Sequence, residues 1–221
     1  MSESSIYVLD QDFNGIVDKE YANSWLFSPM VWNVLLEKYM HAEIQTPYGY
    51  TKSLIGPGGH ELHQQLNEII NGCDDIADRI CWELSMQQVF FSKDKDVVAQ
   101  GIKNFLADNQ KFYLTDEGTP VLRQDHIAAR FTQIASDIAA IDELTYPCFV
   151  FKNTSVDDNV ERWFSDYDEE TDECGSKSLA DWDKVVAEFV KIEDGKINFI
   201  DNLNYFKHEQ PQVTDGSEQG E

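Results

Sequence analysis

Positive charge is what this chain has least of. Its 221 residues carry 17 Lys and Arg against 41 Asp and Glu, a formal net charge of -24. That excess is wrong for a protein that grips phosphate backbones or anionic membranes, and it selects for basic partners instead. Long hydrophobic runs are missing as well, since no apolar stretch reaches the roughly 18 residues that a membrane-spanning helix needs. The opening MSESSIYVLD has neither the basic start nor the apolar segment of an export signal, so a cytoplasmic location without membrane contact is expected. Cysteine is sparse and unpaired in spacing: Cys73, Cys81, Cys148 and Cys174 form no CxxC. This excludes a zinc knuckle or a disulfide framework and predicts free, mostly buried thiols. Neither Gly-Lys-Ser nor Gly-Lys-Thr follows the glycines of GPGG, so there is no phosphate loop, and no nucleotide or other cofactor is expected.

What is present argues for a packed body. Hydrophobic residues make up 42% and aromatics 12%, whereas a disordered acidic chain is poor in both, so the charge must lie on the outside of a globule. The length suits one domain with ample core. The expected fold is α+β, a predominantly helical single domain over residues 1–207 with short β-hairpins. The ending HEQPQVTDGSEQGE, residues 208–221, has nothing to bury and reads as a disordered tail.

Apolar spacing places the elements. SIYVL followed by DQDFNGIVD predicts a short hairpin near residues 5–18, turning at Asn14-Gly15, a pair suited to positive backbone angles. Ser28 before Pro29 predicts a capped helix to about Glu43, with Val31, Val34, Leu35 and Tyr39 at helical spacing. After a Gly/Pro-rich connection, Leu62, Leu66, Ile69 and Ile70 predict a second helix ending at Gly72. Asp74 or Asp75 caps a third, with Ile76, Ile80 and Leu84 on one face, and KDKD opens a fourth through Val97, Val98, Ile102, Phe105 and Leu106. KFYLTDEGTPVLR reads as two short strands. Ile127, Phe131, Ile134, Ile138 and Ile141, spaced 4, 3, 4 and 3 apart, form the most regular amphipathic stripe in the chain. YPCFVF reads as a buried strand, SLADWDKVVAEFV as a capped helix with Trp182, Val185, Val186 and Phe189 inward, and KIEDGKINFI as a hairpin about Asp194-Gly195.

Motifs that carry chemistry mostly fail on inspection. Asp10, Asp12, Asn14, Gly15 and Asp18 match positions one, three, five, six and nine of a calcium loop, but position twelve is Tyr21 in place of the bidentate Glu, and a strand precedes it. His60, Glu61 and His63 put the histidines three apart, whereas the zinc-hydrolase helix needs them four apart around the Glu. They read as a glycine-rich loop ahead of an exposed helix start. Asp166, Asp168, Glu170 and Asp172 alternate along DYDEETDE and offer at most a weak, flexible cation site. Cys148 lies in an apolar strand, where burial keeps a thiol inert. Asp125 and His126 are helix neighbours about 100 degrees apart and form no acid and base pair. No catalytic residue and no metal ligand is assigned, and the chain is expected to act by binding, not turnover.

The acidity is densest over residues 156–183, where Asp157, Asp158, Glu161, Asp166, Asp168, Glu169, Glu170, Asp172, Glu173, Asp181 and Asp183 are answered only by Arg162 and Lys177. Trp163, Phe164, Tyr167 and Trp182 are interleaved with them. Rings supply contact area that can be buried, and carboxylates steer and pair with Lys and Arg, so Asp157 to Glu173 form the candidate face for a basic protein. The plainer alternative is a solvated loop whose rings tuck into the core. The function this composition suggests is a cytoplasmic immunity protein, or antitoxin, that neutralises a basic toxin, most naturally a nuclease domain. A nucleic-acid mimic that inhibits a DNA-binding defence or restriction enzyme is the alternative, and would be expected to space its carboxylates regularly over the whole surface.

Overall fold

A computed structural model describes residues 3–12, 14–22, 27–40, 44–45, 49–50, 59–112, 125–152, 165–168, 170–171, 173–176 and 189–198. Two strands begin the fold, β1 (Glu3–Leu9) and β2 (Gly15–Ala22), followed by helix α1 (Ser28–Met40) and a minimal ribbon of β3 (Ile44–Gln45) and β4 (Gly49–Tyr50). Helices α2 (Gly59–Asn71) and α3 (Ile76–Ser85) lead to β5 (Val89–Phe91), then to α4 (Lys95–Asp108) and α5 (Asp125–Ala139). The chain returns through β6 (Cys148–Lys152) and ends in two hairpins, β7 (Ser165–Asp168) with β8 (Glu173–Ser176), and β9 (Lys191–Glu193) with β10 (Lys196–Asn198). The described residues are therefore mixed α+β. No described helix is long and apolar enough to cross a membrane.

A four-stranded antiparallel sheet in the order β2-β1-β6-β5 organises the rest. Its two central strands, β1 and β6, are covered on both faces, which is why SIYVL and CFVF read as continuous apolar runs instead of alternating ones. On one face Ile6, Val8, Phe90, Phe149 and Phe151 merge with the helices into the main core. There Phe27 packs 4.6 Å from Phe131 and 4.9 Å from Phe151 between ring centroids. On the other face Tyr7, Leu9, Val89, Cys148 and Val150 gather around Phe189. The stripe Ile127, Phe131, Ile134, Ile138 and Ile141 is buried in full, as its spacing predicts, although Ile141 lies just past the end of α5.

Several boundaries follow the local signals. Asp75 caps α3, its carboxylate accepting from the backbone N–H groups of Ala77 and Asp78, and Gly72 closes α2 by donating to the Glu68 and Ile69 carbonyls. Asp194 and Gly195 both adopt positive φ, 50° and 72°, and form the expected two-residue turn between β9 and β10. The first hairpin differs. Gly15 pairs with Leu9 inside the ladder, so the turn is the longer Asp10–Asn14 loop, not Asn14-Gly15. Asp10 Oδ1 accepts from the backbone N–H groups of Asp12 and Asn14, both at 2.8 Å, and so shapes the loop from within. Gly15 is needed there for space: a Cβ would stand 2.2 Å from the Tyr7 ring. Likewise α2 already includes Gly59 and His60, expected as loop, and the His63 ring packs 5.3 Å from that of Trp82. Cys81 and Cys148 are buried free thiols and Cys73 is half-buried. Burial pushes the Cys148 thiol up to about 12, in keeping with an inert side chain.

Of the strands placed over 111–123, Lys111 and Phe112 instead close a short 3-10 turn, Gln110–Phe112. Residues 113–123, residues 178–188 of the helix expected to end in FV, and the tail 208–221 lie outside the described residues. Phe189 and Val190, expected as the end of that helix, are not helical: Val190 bridges Phe90 in parallel and its N–H donates to the Val89 carbonyl at 2.9 Å, because the sheet edge takes up its backbone groups.

Helices α1 and α3 are tied by a polar cluster. The Asp78 carboxylate, almost fully buried, accepts from Lys38 Nζ at 2.5 Å and from the Tyr39 hydroxyl at 2.6 Å, and Lys38 also reaches Asp75 at 2.9 Å. Lys38 sits in the last turn of α1 and the two aspartates at the start of α3, so each charge complements its helix dipole. Burial, then the bond to Asp78, pushes the Tyr39 hydroxyl well above its usual range. Lys38 is held above the usual lysine value by its bonds to Asp78 and Asp75, which outweigh the opposing effect of burial. Both groups hold their protons more tightly folded than unfolded, so the stability they contribute is intact at neutral pH and drains away above about pH 10. Tyr39→Phe leaves Asp78 short of a donor and should cost about 1.5–3 kcal/mol in urea unfolding at pH 7, with a shallower loss of stability between pH 9 and 11 than the parent, roughly the window of Tyr and Lys titration. Where α4 crosses α3, Gly101 leaves room for Ile80: a Cβ at 101 would lie 2.5 Å from Ile80 Cδ1. Gly101→Val should destabilise by about 1–3 kcal/mol, and the double variant with Ile80→Ala by less than the sum of the two single changes.

Candidate acidic ribbon

The described part of the acidic segment is a β-ribbon. Ser165, Asp166, Tyr167 and Asp168 pair with Ser176, Gly175, Cys174 and Glu173 in that order, with Glu170 and Thr171 in the turn between them. Asp and Gly are depleted in strands, and this segment reads as a loop by composition; pairing across the ribbon overrides that propensity. Strand geometry then assigns faces. Residues two apart share a face, and directly opposed residues share one as well, so Asp166, Asp168 and Glu173 belong to one side of the ribbon and Tyr167 and Cys174 to the other.

This arrangement separates what the sequence intermingles. By register, three of the candidate acidic residues share one side of the ribbon and Tyr167 falls on the other. Glu170 lies exposed in the hairpin loop. Asp157, Asp158, Glu161, Trp163, Phe164, Glu169 and Asp172 lie outside the described residues. The opposition of Asp168 to Glu173 is the informative feature, because like charges directly across a ladder destabilise it. The alternation of SDYD about the turn could have revealed the shared face, but the partner strand ECGS has too little β character to be recognised before the register is known.

Other sequence candidates are absorbed into structure. In the Asp10–Asn14 loop both Asp10 carboxylate oxygens are engaged locally, Oδ2 by Asn14 Nδ2 at 3.2 Å, and Asp18 lies away in β2. Tyr21, at calcium-loop position twelve, is a structural anchor: its hydroxyl donates to Asp137 of α5 at 2.8 Å, and the Arg130 guanidinium stands 5.1 Å over its ring. Among the described residues no three His, Cys, Asp or Glu side chains converge as metal ligands. Comparison of the chain with protein-family models, with curated proteins and with solved structures finds no match in any of the three.

Glu173→Lys replaces repulsion with attraction across the ribbon. It should stabilise the β7–β8 pairing by about 0.5 kcal/mol, read as slower amide exchange at Tyr167 and Cys174, while weakening capture of any cationic partner.

Proposed function

We propose that this chain is a cytoplasmic immunity protein, an antitoxin whose single domain binds and neutralises a basic toxin, with a nuclease domain as the target class. The carrying observation is the ribbon register that sets Asp168 against Glu173 with Asp166 beside them. A like-charge pair of this kind is a cost in the free protein and a gain once a Lys or Arg enters between the carboxylates. The net charge of -24 adds a long-range field that raises the capture rate for a cationic cleft by about 10- to 1,000-fold at low salt. Nuclease clefts are cationic because they must hold phosphate backbones, so an anionic surface occupies them by the same electrostatics as their substrate. In this reading inhibition is by occupancy and requires no catalytic group or cofactor.

The test is titration of the full chain with a basic nuclease domain, beginning with any toxin encoded beside it. Affinity should fall steeply as salt rises, because partly exposed charges are screened over about 10 Å at 0.1 M. Trp163→Ala should cost more than about 2 kcal/mol, and Asp157→Asn less than about 1 kcal/mol. Silent ring changes with dominant charge changes, and binding to several unrelated DNA-binding enzymes, would transfer the assignment to a nucleic-acid mimic. Turnover of a small metabolite by the purified chain, or indifference to every cationic protein offered, would end the proposal.

A further inference from the structure

The two edges of the main sheet are treated differently. The β5 edge is only three residues long and is bridged at Phe90 by Val190. The β2 edge runs for eight residues, Gly15–Ala22, and no described strand pairs with its outer side. Its far end is secured at Tyr21 and Ala22, where Arg130 donates to the Ala22 carbonyl. The stretch from Ile16 to Glu20 is exposed throughout, on both faces of the strand. Ile16 is 51% and Val17 43% exposed, and Asp18 and Glu20 flank a lone cation, Lys19.

Bare edges invite another strand, and the side chains decide which strand is accepted. A second copy is a poor candidate. Two-fold antiparallel pairing of β2 with itself must centre on one residue, and centring on Asp18, Lys19 or Glu20 sets that charge against its own copy. The shift in pairing at Ile6/Tyr7, which leaves Asp18 unmatched by β1, breaks the regular run such pairing requires. Register with β1 places Ile16 with Lys19 on one face of β2 and Val17 with Glu20 on the other, so a strand that alternates apolar and cationic residues suits the same edge with its apolar groups beside Ile16 and its cations on the face that carries Glu20.

We propose that the β2 edge receives an extended basic segment of the protein's partner as a fifth strand of the sheet. The inference rests on the reading that the partner is basic, and it adds a main-chain docking mode at a surface other than the acidic ribbon. Backbone hydrogen bonds supply affinity in this mode and alternate side chains supply selectivity.

The test uses the full chain, labelled for amide exchange and NMR, and a capped peptide of alternating lysine and valine as probe. Binding should slow exchange at amides within Gly15–Ala22, and an analogue N-methylated at alternate residues, which cannot complete the ladder, should bind at least about tenfold more weakly. Glu20→Lys, at an exposed position of β2, reverses the charge that the peptide's cations meet; it should weaken the peptide while leaving the circular dichroism unchanged. Equal binding of the N-methylated peptide, or perturbations confined to Ser165–Ser176, would overturn the edge proposal and leave the acidic-ribbon reading standing. Absence of binding at both surfaces would overturn both.

Discussion

With 17 cationic side chains to answer 41 carboxylates, a fold that buries any acidic group must find donors that carry no formal charge. The described interior does this repeatedly. Asp78 shares one ammonium with Asp75 and takes a second hydrogen bond from the Tyr39 hydroxyl. The half-buried Asp137 receives the Tyr21 hydroxyl, and Asp75 receives the backbone N–H groups at the start of α3. Phenols and helix N-termini thus stand in for the missing lysines and arginines. Hydrogen bonds to an ionised acceptor are about twice as strong as neutral ones, and they offset part of the cost of burial, which still holds the Asp78 carboxyl above its ordinary range.

Four of the cations are placed at junctions. Lys38 joins α1 to α3, Lys95 donates to the Ile141 carbonyl beyond α5, Lys111 meets Glu37, and Arg130 reaches the end of β2. Cations used to hold elements together do not neutralise the surface, and the outward charge stays large. The same scarcity links the two proposed contact surfaces. The ribbon of β7 and β8 tolerates an opposed Asp168 and Glu173, and the β2 edge sets a single Lys19 between acidic neighbours. Both leave carboxylates in excess of cations, which an incoming cationic segment would answer.

Helix positions were legible because a 3.6-residue period survives over several turns, as in the Ile127 to Ile141 stripe, and because caps act locally, as at Asp75 and Gly72. Turns were legible only where nothing competes with the turn residues. Asp194-Gly195 takes the positive φ values its composition suits, whereas at Asn14-Gly15 the Asp10 side chain captures backbone donors and Tyr7 needs the space above Gly15. The three residues of β5 are too few to show a period at all. In the acidic segment the residues were visible and their division between faces was not: alternation assigns a face only after the strand is known, and SDYD and ECGS do not look like strands.

The amino-acid order alone determined the sign and scale of the charge, the helical stripes and the buried run of β6, since these depend on composition and on contacts a few residues apart. Tertiary structure decided what depends on pairing between distant segments. It joined residues 5–9 to 148–152, left β2 at the sheet margin, set Asp168 against Glu173 and turned Tyr21 from a failed calcium ligand into the anchor of a strand. Strand order and register arise from long-range burial, which no local spacing encodes.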